Sequence, residues 1–81
     1  MTEQEIKAAI EGYIKGRYSQ WTIGITDYPN RRRTEHGDPK YWHHWNASTE
    51  QAARRIEAYF FKKGCKGAGG GGVSPNYVYI F

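Results

Sequence analysis

The 81-residue sequence predicts one α+β domain, residues 1–81, in which a three-stranded antiparallel sheet is flanked by three helices. Helical spacing of apolar residues alternates three times along the chain with short alternating or aromatic-rich segments, which are typical of strands. The predicted order is therefore helix, strand, helix, strand, helix, strand. The length leaves no room for a second domain of ordinary size, and three strands with one helix-covered face are about the smallest sheet that is stable alone.

The first helix is predicted over residues 2–16. Thr2 and Glu5 form a capping box, because each side chain can accept a hydrogen bond from the backbone of the other. Apolar side chains then recur at intervals of three and four residues, which places them on one face. They are Ile6, Ala9, Ile10, Tyr13 and Ile14. Gly16 is a suitable end for this helix.

The first strand is predicted over residues 20–26, where large apolar residues alternate with small or polar ones. The apolar face would carry Trp21, Ile23 and Ile25, and the other face Thr22, Gly24 and Thr26. A short second helix follows at Asp27, with Pro29 in its first turn, and runs to about His36. The aromatic-rich segment 41–46 is the second predicted strand.

Ser48 begins a second capping box and opens the third helix, which Gly64 ends. The glycine-rich segment 67–72 has the composition of a flexible connector. Alternating residues in segment 77–81 predict the last strand.

Charge and composition exclude several classes of protein. The chain carries 12 Lys and Arg against 8 Asp and Glu, and this net charge of +4 permits a polyanionic partner without requiring one. The only cysteine, Cys65, forms no internal disulfide and excludes a cysteine-rich zinc site, which favours a reducing compartment. The sequence shows neither a signal peptide nor a membrane span, so we expect a cytoplasmic protein without a membrane partner.

Arg32 and His36 lie four residues apart on the predicted second helix, so they share one face. A guanidinium group can hold two phosphate oxygens, and an imidazole can transfer a proton. The pair therefore favours a site for a phosphate group. The alternative is a solvated run of arginines followed by a histidine that the helix dipole stabilises.

The segment from Ile23 to His36, IGITDYPNRRRTEH, resembles the second half of the signature of GIY-YIG nucleases. In that family a "YIG" strand precedes a helix that bears a catalytic arginine and, four residues later, often a histidine. The resemblance implies these roles for Arg32 and His36. It also implies that Glu57, in an Ala-x-x-x-Glu segment of the next helix, binds one Mg²⁺ or Mn²⁺ ion. It covers roughly residues 20–63.

The sequence departs from the family pattern at two places. Thr22 stands where the family has its second tyrosine, and a helix occupies the N-terminus where the "GIY" strand should be. Because an absent strand would leave backbone groups unpaired, we expect segment 77–81 to lie beside the first strand, as in a circular permutation. Tyr77 or Tyr79 would then replace the first family tyrosine. Alternatively, both are simply good strand formers.

The resemblance implies a metal-dependent DNA endonuclease, a hydrolase in which a tyrosine or His36 helps to deprotonate water. It implies no small-molecule cofactor, and we expect a monomer or weak dimer. A second hypothesis is a non-catalytic descendant that binds nucleic acid. The basic residues available for this are Arg31, Arg32, Arg33, Arg54 and Lys63. A third hypothesis is a protein-interaction module that has kept only the scaffold.

Overall fold

Three α-helices and a four-stranded mixed sheet make up the computed structural model, which describes residues 1–69 and 72–81. The helices are α1 (Glu3–Ile14), α2 (Pro29–Glu35) and α3 (Glu50–Lys63). The strands are β1 (Thr22–Thr26), β2 (His43–Asn46), β3 (Lys66–Gly67) and β4 (Tyr77–Ile80), and Tyr18–Gln20 form a single 3₁₀ turn. The predicted α+β class is confirmed. No helix among the described residues has the length and apolar character that a membrane crossing needs.

The predicted three-stranded antiparallel sheet is wrong, because a fourth strand pairs with β1 in parallel. The strand order is β2-β4-β1-β3, and the two other pairings are antiparallel. After α3 the chain turns back along β1, where Lys66 N donates to Trp21 O (2.9 Å) and Ala68 N donates to Ile23 O (3.0 Å). This pairing satisfies backbone groups that would otherwise lie unpaired at the sheet edge. Gly67 therefore belongs to a strand; of the predicted connector, Gly70 and Gly71 lie outside the described residues.

The C-terminal strand β4 lies in the middle of the sheet, between β1 and β2. Gly24 pairs with Tyr79, and Trp45 pairs with Val78. The prediction that the end of the chain lies beside β1 is confirmed. As expected from alternation, Val78 and Ile80 are fully buried in the core.

Helices α1 and α3 cover the apolar face of the sheet. Their buried side chains pack with those of β1 and β4 in one cluster, and each such side chain stabilises the fold by roughly 1.5–3 kcal/mol. Its largest members are Ile6, Ile10, Ile14, Ile23, Ile25, Ile56, Phe60, Val78 and Ile80. At the surface, Arg55 donates two hydrogen bonds of 2.8 and 3.0 Å to Glu3 Oε1 and so joins α3 to α1.

The capping box of α1 is confirmed: Thr2 N donates to Glu5 Oε1 (2.7 Å), and Glu5 N donates to Thr2 Oγ1 (3.1 Å). The cap predicted for α3 is wrong by one residue. Thr49 Oγ1 accepts from Ala52 N (3.1 Å), whereas Ser48 lies in the left-handed region with a φ of 72°. Ser48 therefore makes the turn that leads into the cap.

All three predicted strands are also shorter than predicted, and segment 77–81 forms β4 only as far as Ile80. The 3₁₀ turn takes up the first residue of the predicted segment 20–26, so that β1 begins at Thr22. The first residues of the predicted segment 41–46 lead into β2, which begins at His43.

Candidate functional site

Tyr79 lies at the centre of the candidate site. Its neighbours Val78 and Ile80 point into the core, so alternation directs the Tyr79 side chain to the opposite face of the sheet. There it is fully buried, at 0% relative exposure. The ring lies against Gly24 on β1, where a Cβ atom would overlap the Tyr79 hydroxyl. Glycine at this position is therefore what makes room for the tyrosine.

Two side chains of α2 meet the Tyr79 hydroxyl. Arg32 Nε donates to Tyr79 Oη at 3.2 Å, and His36 Nε2 lies 3.2 Å from the same oxygen. Because arginine has only donors, the Tyr79 oxygen must accept from it. The phenolic proton is then available for donation to His36 Nε2. This direction of bonding requires a neutral imidazole with its own proton on Nδ1.

The remaining nitrogens of the Arg32 guanidinium are bonded within the chain. Nη1 donates to Glu35 Oε1 (3.0 Å), and Nη2 donates to the carbonyl of Gly69 (2.8 Å). The hydrogen bonds to Tyr79 and Glu35 raise the pKa of Arg32. Arg32 is therefore a fixed positive charge, and its side chain retains 23% exposure to solvent.

The protonation of the site follows from burial. Burial raises the pKa of Tyr79, and the hydrogen bond from Arg32 only partly offsets this effect. Burial and the charge of Arg32 together lower the pKa of His36 below its usual value. At neutral pH the tyrosine is therefore a phenol and the histidine a neutral base, which agrees with the direction of the hydrogen bonds.

An aromatic layer holds Tyr79 and His36 in place. Trp42 stacks on Tyr79 with ring centroids 4.4 Å apart and planes within 14°. Phe81 lies 4.8 Å from the His36 ring and 5.7 Å from Trp42. The indole Nε1 of Trp42 donates to His44 Nδ1 (2.9 Å), and this bond fixes the orientation of the indole ring. Rings held in this way leave the tyrosine hydroxyl little freedom to move.

Glu57 lies on α3 and is half-buried. Burial raises the pKa of its carboxyl group, and the nearby charge of Arg54 lowers it by less. The carboxylate is close enough to Tyr79 to contribute to the raised pKa of that hydroxyl. Glu57 forms no ion pair within residues 1–69 and 72–81, since Arg54 pairs with Glu50 at 2.7 Å instead.

The described part of the chain contains no group of three or more His, Cys, Asp or Glu residues that could hold a metal ion. A half-buried carboxylate without a cationic partner nevertheless fits a weakly held divalent ion. Mg²⁺ is commonly bound by one or two carboxylates, with water and substrate phosphate completing its coordination. Glu57 matches that donor set.

No known protein family, curated protein or solved structure matches the chain. The side chains of the site are therefore the basis for assigning a function. They bring together a fixed cation, a phenol and a neutral imidazole at one oxygen atom, while the half-buried carboxylate of Glu57 acts on the phenol only through its charge. Such a group can bind an anion and accept a proton from a nucleophile beside it.

The sequence left open which C-terminal tyrosine belongs to the site, and the structure places Tyr79 there. Tyr77 pairs with Thr26 and with Asn46, and its ring lies edge-on to His44 at 6.1 Å. Tyr77 therefore lies two residues before Tyr79 on β4, and Arg32 and His36 contact the hydroxyl of Tyr79 instead.

The basic residues predicted to bind nucleic acid divide into two groups. Arg31 and Arg33 are exposed on α2, beside Arg32, and Arg31 is 3.7 Å from Glu35. Arg54 and Lys63 lie on α3. Lys63 lies in the layer formed by α1 and α3. Its Nζ is 4.0 Å from Glu11 on α1 and lies over the rings of Tyr18 and Tyr59.

Sequence reasoning missed three contributors to the site: Glu35, Trp42 and the carbonyl of Gly69. Glu35 had a signal, because it lies three residues after Arg32 on the same helix, where ion pairs form. Trp42 and Gly69 reach the site through tertiary contacts alone, and nothing in their local sequence indicates this role.

Proposed function

We propose that this domain is a metal-dependent phosphodiesterase of the GIY-YIG type that cleaves DNA. The observation that carries the proposal is the contact of one buried hydroxyl, Tyr79 Oη, with both Arg32 and His36. The sequence resemblance implies catalytic roles for the latter two, and β4 supplies a tyrosine from the strand beside β1. Glu57 is included as the fourth residue because the sequence resemblance implies a metal ligand there, and its charge contributes to the raised pKa of Tyr79.

Arg32 would bind the scissile phosphate. Its Nη1 is bonded to Glu35, an ion pair at the partly exposed end of the side chain, and such pairs contribute only about 0–1 kcal/mol. A phosphate oxygen can therefore replace the Glu35 carboxylate at low cost, while the Nε bond to Tyr79 is kept. The guanidinium then neutralises charge that develops on the phosphoryl oxygens.

The proton of the attacking water would move through Tyr79 to His36, and because Tyr79 is fully buried in the free protein, binding of the phosphate would have to open a path for this water to the hydroxyl. The phenol donates its proton to His36 Nε2 and receives one from the water as the water oxygen bonds to phosphorus. The bond to the leaving oxygen breaks, and that oxygen takes a proton from solvent. A concerted transfer avoids a free phenolate, which the raised pKa of Tyr79 disfavours.

Glu57 would hold the metal, because a cation relieves the cost of keeping an unpaired carboxylate half-buried. Mg²⁺ or Mn²⁺ supplies Lewis-acid stabilisation of the phosphoryl oxygens when it is bound. The exposed Arg31 and Arg33 would contact flanking phosphates of the DNA backbone.

A second candidate function is nucleic-acid binding without cleavage. It is favoured by one observation: three nitrogens of the Arg32 guanidinium are already bonded within the chain, to Tyr79, Glu35 and Gly69. An arginine with these bonds can serve to hold α2 against the sheet and need not bind a phosphate. In that case α2 would still offer exposed arginines to a phosphate backbone.

Duplex DNA incubated with the protein and Mg²⁺ or Mn²⁺ tests the proposal. We expect cleavage that EDTA stops and that falls about 100-fold or more in Glu57→Gln and in Arg32→Gln. The matched controls are Glu50→Gln on the same helix as Glu57 and Lys62→Gln, which removes an exposed charge outside the candidate site, and both should retain cleavage. Salt-sensitive binding without cleavage would favour the second candidate function. The absence of binding even at low salt would favour the third hypothesis, a protein-interaction module.

A further inference from the structure

A cleft of about 430 Å³ opens beside the candidate site, between the end of α1, the 3₁₀ turn and the C-terminal end of the chain. Its volume falls within the range of small-molecule binding sites. Four aromatic side chains and two cationic ones line it. They are Tyr13, Trp21, Tyr41 and Phe81, with Lys15 and Arg17.

The two cations of the cleft are available to a ligand. Neither Lys15 nor Arg17 forms an ion pair with any described residue, whereas six other lysines and arginines of the described chain do: Lys7, Arg31, Arg32, Arg54, Arg55 and Lys63. The end of α1 would account for one adjacent cation, because the helix dipole favours positive charge there. It does not account for the aromatic walls.

Aromatic walls beside unpaired cations suit a ligand that has a flat ring system and a phosphate. This combination is how proteins hold single-stranded nucleic acid: bases stack on aromatic side chains while the backbone follows basic residues. The base must be unpaired, because in a duplex both of its faces are covered by neighbouring bases.

The cleft and the candidate site meet at one residue, Phe81. Phe81 lines the cleft, and its ring lies 4.8 Å from the His36 ring. A strand whose phosphate is held at Arg32 would pass Phe81 on its way to Lys15 and Arg17.

We propose that this cleft binds an unpaired nucleotide of a single-stranded nucleic acid. That the bound strand is also a substrate rests on the proposed function; the binding itself does not need cleavage. Tyr41 stacks on the base from the exposed side of the cleft, and Arg17 and Lys15 hold the adjoining phosphate.

The test is fluorescence anisotropy with a labelled ten-nucleotide oligo-dT in EDTA, where no cleavage takes place. We expect Tyr41→Ala and Arg17→Gln each to raise the Kd about tenfold. The matched controls are Tyr28→Ala, a tyrosine of similar exposure outside the cleft (59% against 65% for Tyr41), and Lys62→Gln, a lysine on α3. Both controls should stay within about twofold of the parent protein.

Several outcomes would overturn the proposal. Equal losses in the cleft and control variants would mean that the oligonucleotide binds through general charge. Thymidine 5′-monophosphate binding as tightly as the oligonucleotide would contradict the proposal that the cleft binds a nucleotide of a single strand. A protein that binds oligo-dT through the cleft but cuts no DNA supports this inference and contradicts the proposed function, so the two failures are distinguishable.

Discussion

Tyr79 and Gly24 face each other across the pairing of β4 with β1, and the tyrosine hydroxyl occupies the space where a side chain on Gly24 would begin. The Cβ of Ala68 would lie only 2.8 Å from a Cβ added at Gly24. Because the same hydroxyl bonds Arg32 and His36, the absence of a side chain at one residue of β1 sets the position of the whole site.

Gly24→Ala should therefore displace Tyr79 and destabilise the fold. Overpacking of this kind costs about 1–3 kcal/mol, and each kcal/mol lowers the Tm of a domain of this size by about 4–8 °C. Thermal unfolding followed by circular dichroism measures the change. The control is Gly12→Ala in α1, where an added Cβ has nothing within 4 Å and should raise the Tm, since alanine favours a helix. An unchanged Tm for Gly24→Ala would mean that the contact is loose.

Tyr79→Phe should remove catalysis without unfolding the protein. The ring keeps its stack on Trp42, but the hydroxyl that joins Arg32 to His36 is lost. We expect DNA cleavage to fall about 100-fold or more, as for other groups that transfer protons. Tyr77→Phe is the matched control on the same strand and should cleave within about twofold of the parent. Equal losses in the two variants would contradict the assignment of Tyr79.

Local patterns were sufficient to predict much of this arrangement. The four-residue spacing of Arg32 and His36 predicted a shared helical face, and both side chains do meet one atom. Alternation in β4 predicted that Val78 and Ile80 are buried. Both inferences depend only on the helical and strand periods, which act over neighbouring residues.

Tertiary register decided what local patterns left open. Tyr77 and Tyr79 share a face by alternation, and only the pairing of Tyr79 with Gly24 selects one of them. Strand β3 has two residues, too few for any periodicity, and is held by backbone hydrogen bonds to β1 that sequence does not encode locally. Ser48 and Thr49 are both good caps, and the backbone turn at Ser48 decides between them.

The cap of α3 gives a prediction about stability. Thr49→Ala removes the acceptor for Ala52 N and should cost about 1 kcal/mol. Ser48→Gly should cost nothing or stabilise the fold, because glycine adopts the left-handed conformation of residue 48 without strain. Urea unfolding of the two variants makes the comparison. A larger loss for Ser48→Gly than for Thr49→Ala would restore Ser48 as the cap.

The central position of β4 predicts a large difference between two valines near the C-terminus. Val78 is 0% exposed and Val73 is 92% exposed. Val78→Asn loses apolar burial and places an amide in the core, so it should destabilise the domain by about 3 kcal/mol or more. Val73→Asn should stay within about 0.5 kcal/mol of the parent in the same urea titration. A tolerated asparagine at residue 78 would show that β4 is not held in the core.

Mild acid should destabilise the fold through its histidines. Burial lowers the pKa of His36 and His43, and partial burial of the ring together with the charge of Arg33 lowers the pKa of the more exposed His44, so the folded state disfavours their protonation. Between these lowered values and about 6.5 the unfolded chain binds more protons, and stability therefore rises with pH; it is complete above about pH 6.5 and is lost progressively below it. Glu57 acts in the opposite sense, because its raised pKa makes protonation easier in the folded state.

His43→Phe isolates this effect, since phenylalanine keeps a ring beside Tyr13, whose centroid lies 3.8 Å from that of His43, and does not titrate. The Tm of the parent should be lower at about pH 5 than at about pH 7.5, and the variant should show a smaller difference. Lys40→Gln removes one positive charge but no histidine and should leave the difference unchanged. A parent Tm that is equal at the two pH values, or higher in acid, would contradict the histidine mechanism, because Glu57 alone would then dominate the pH dependence.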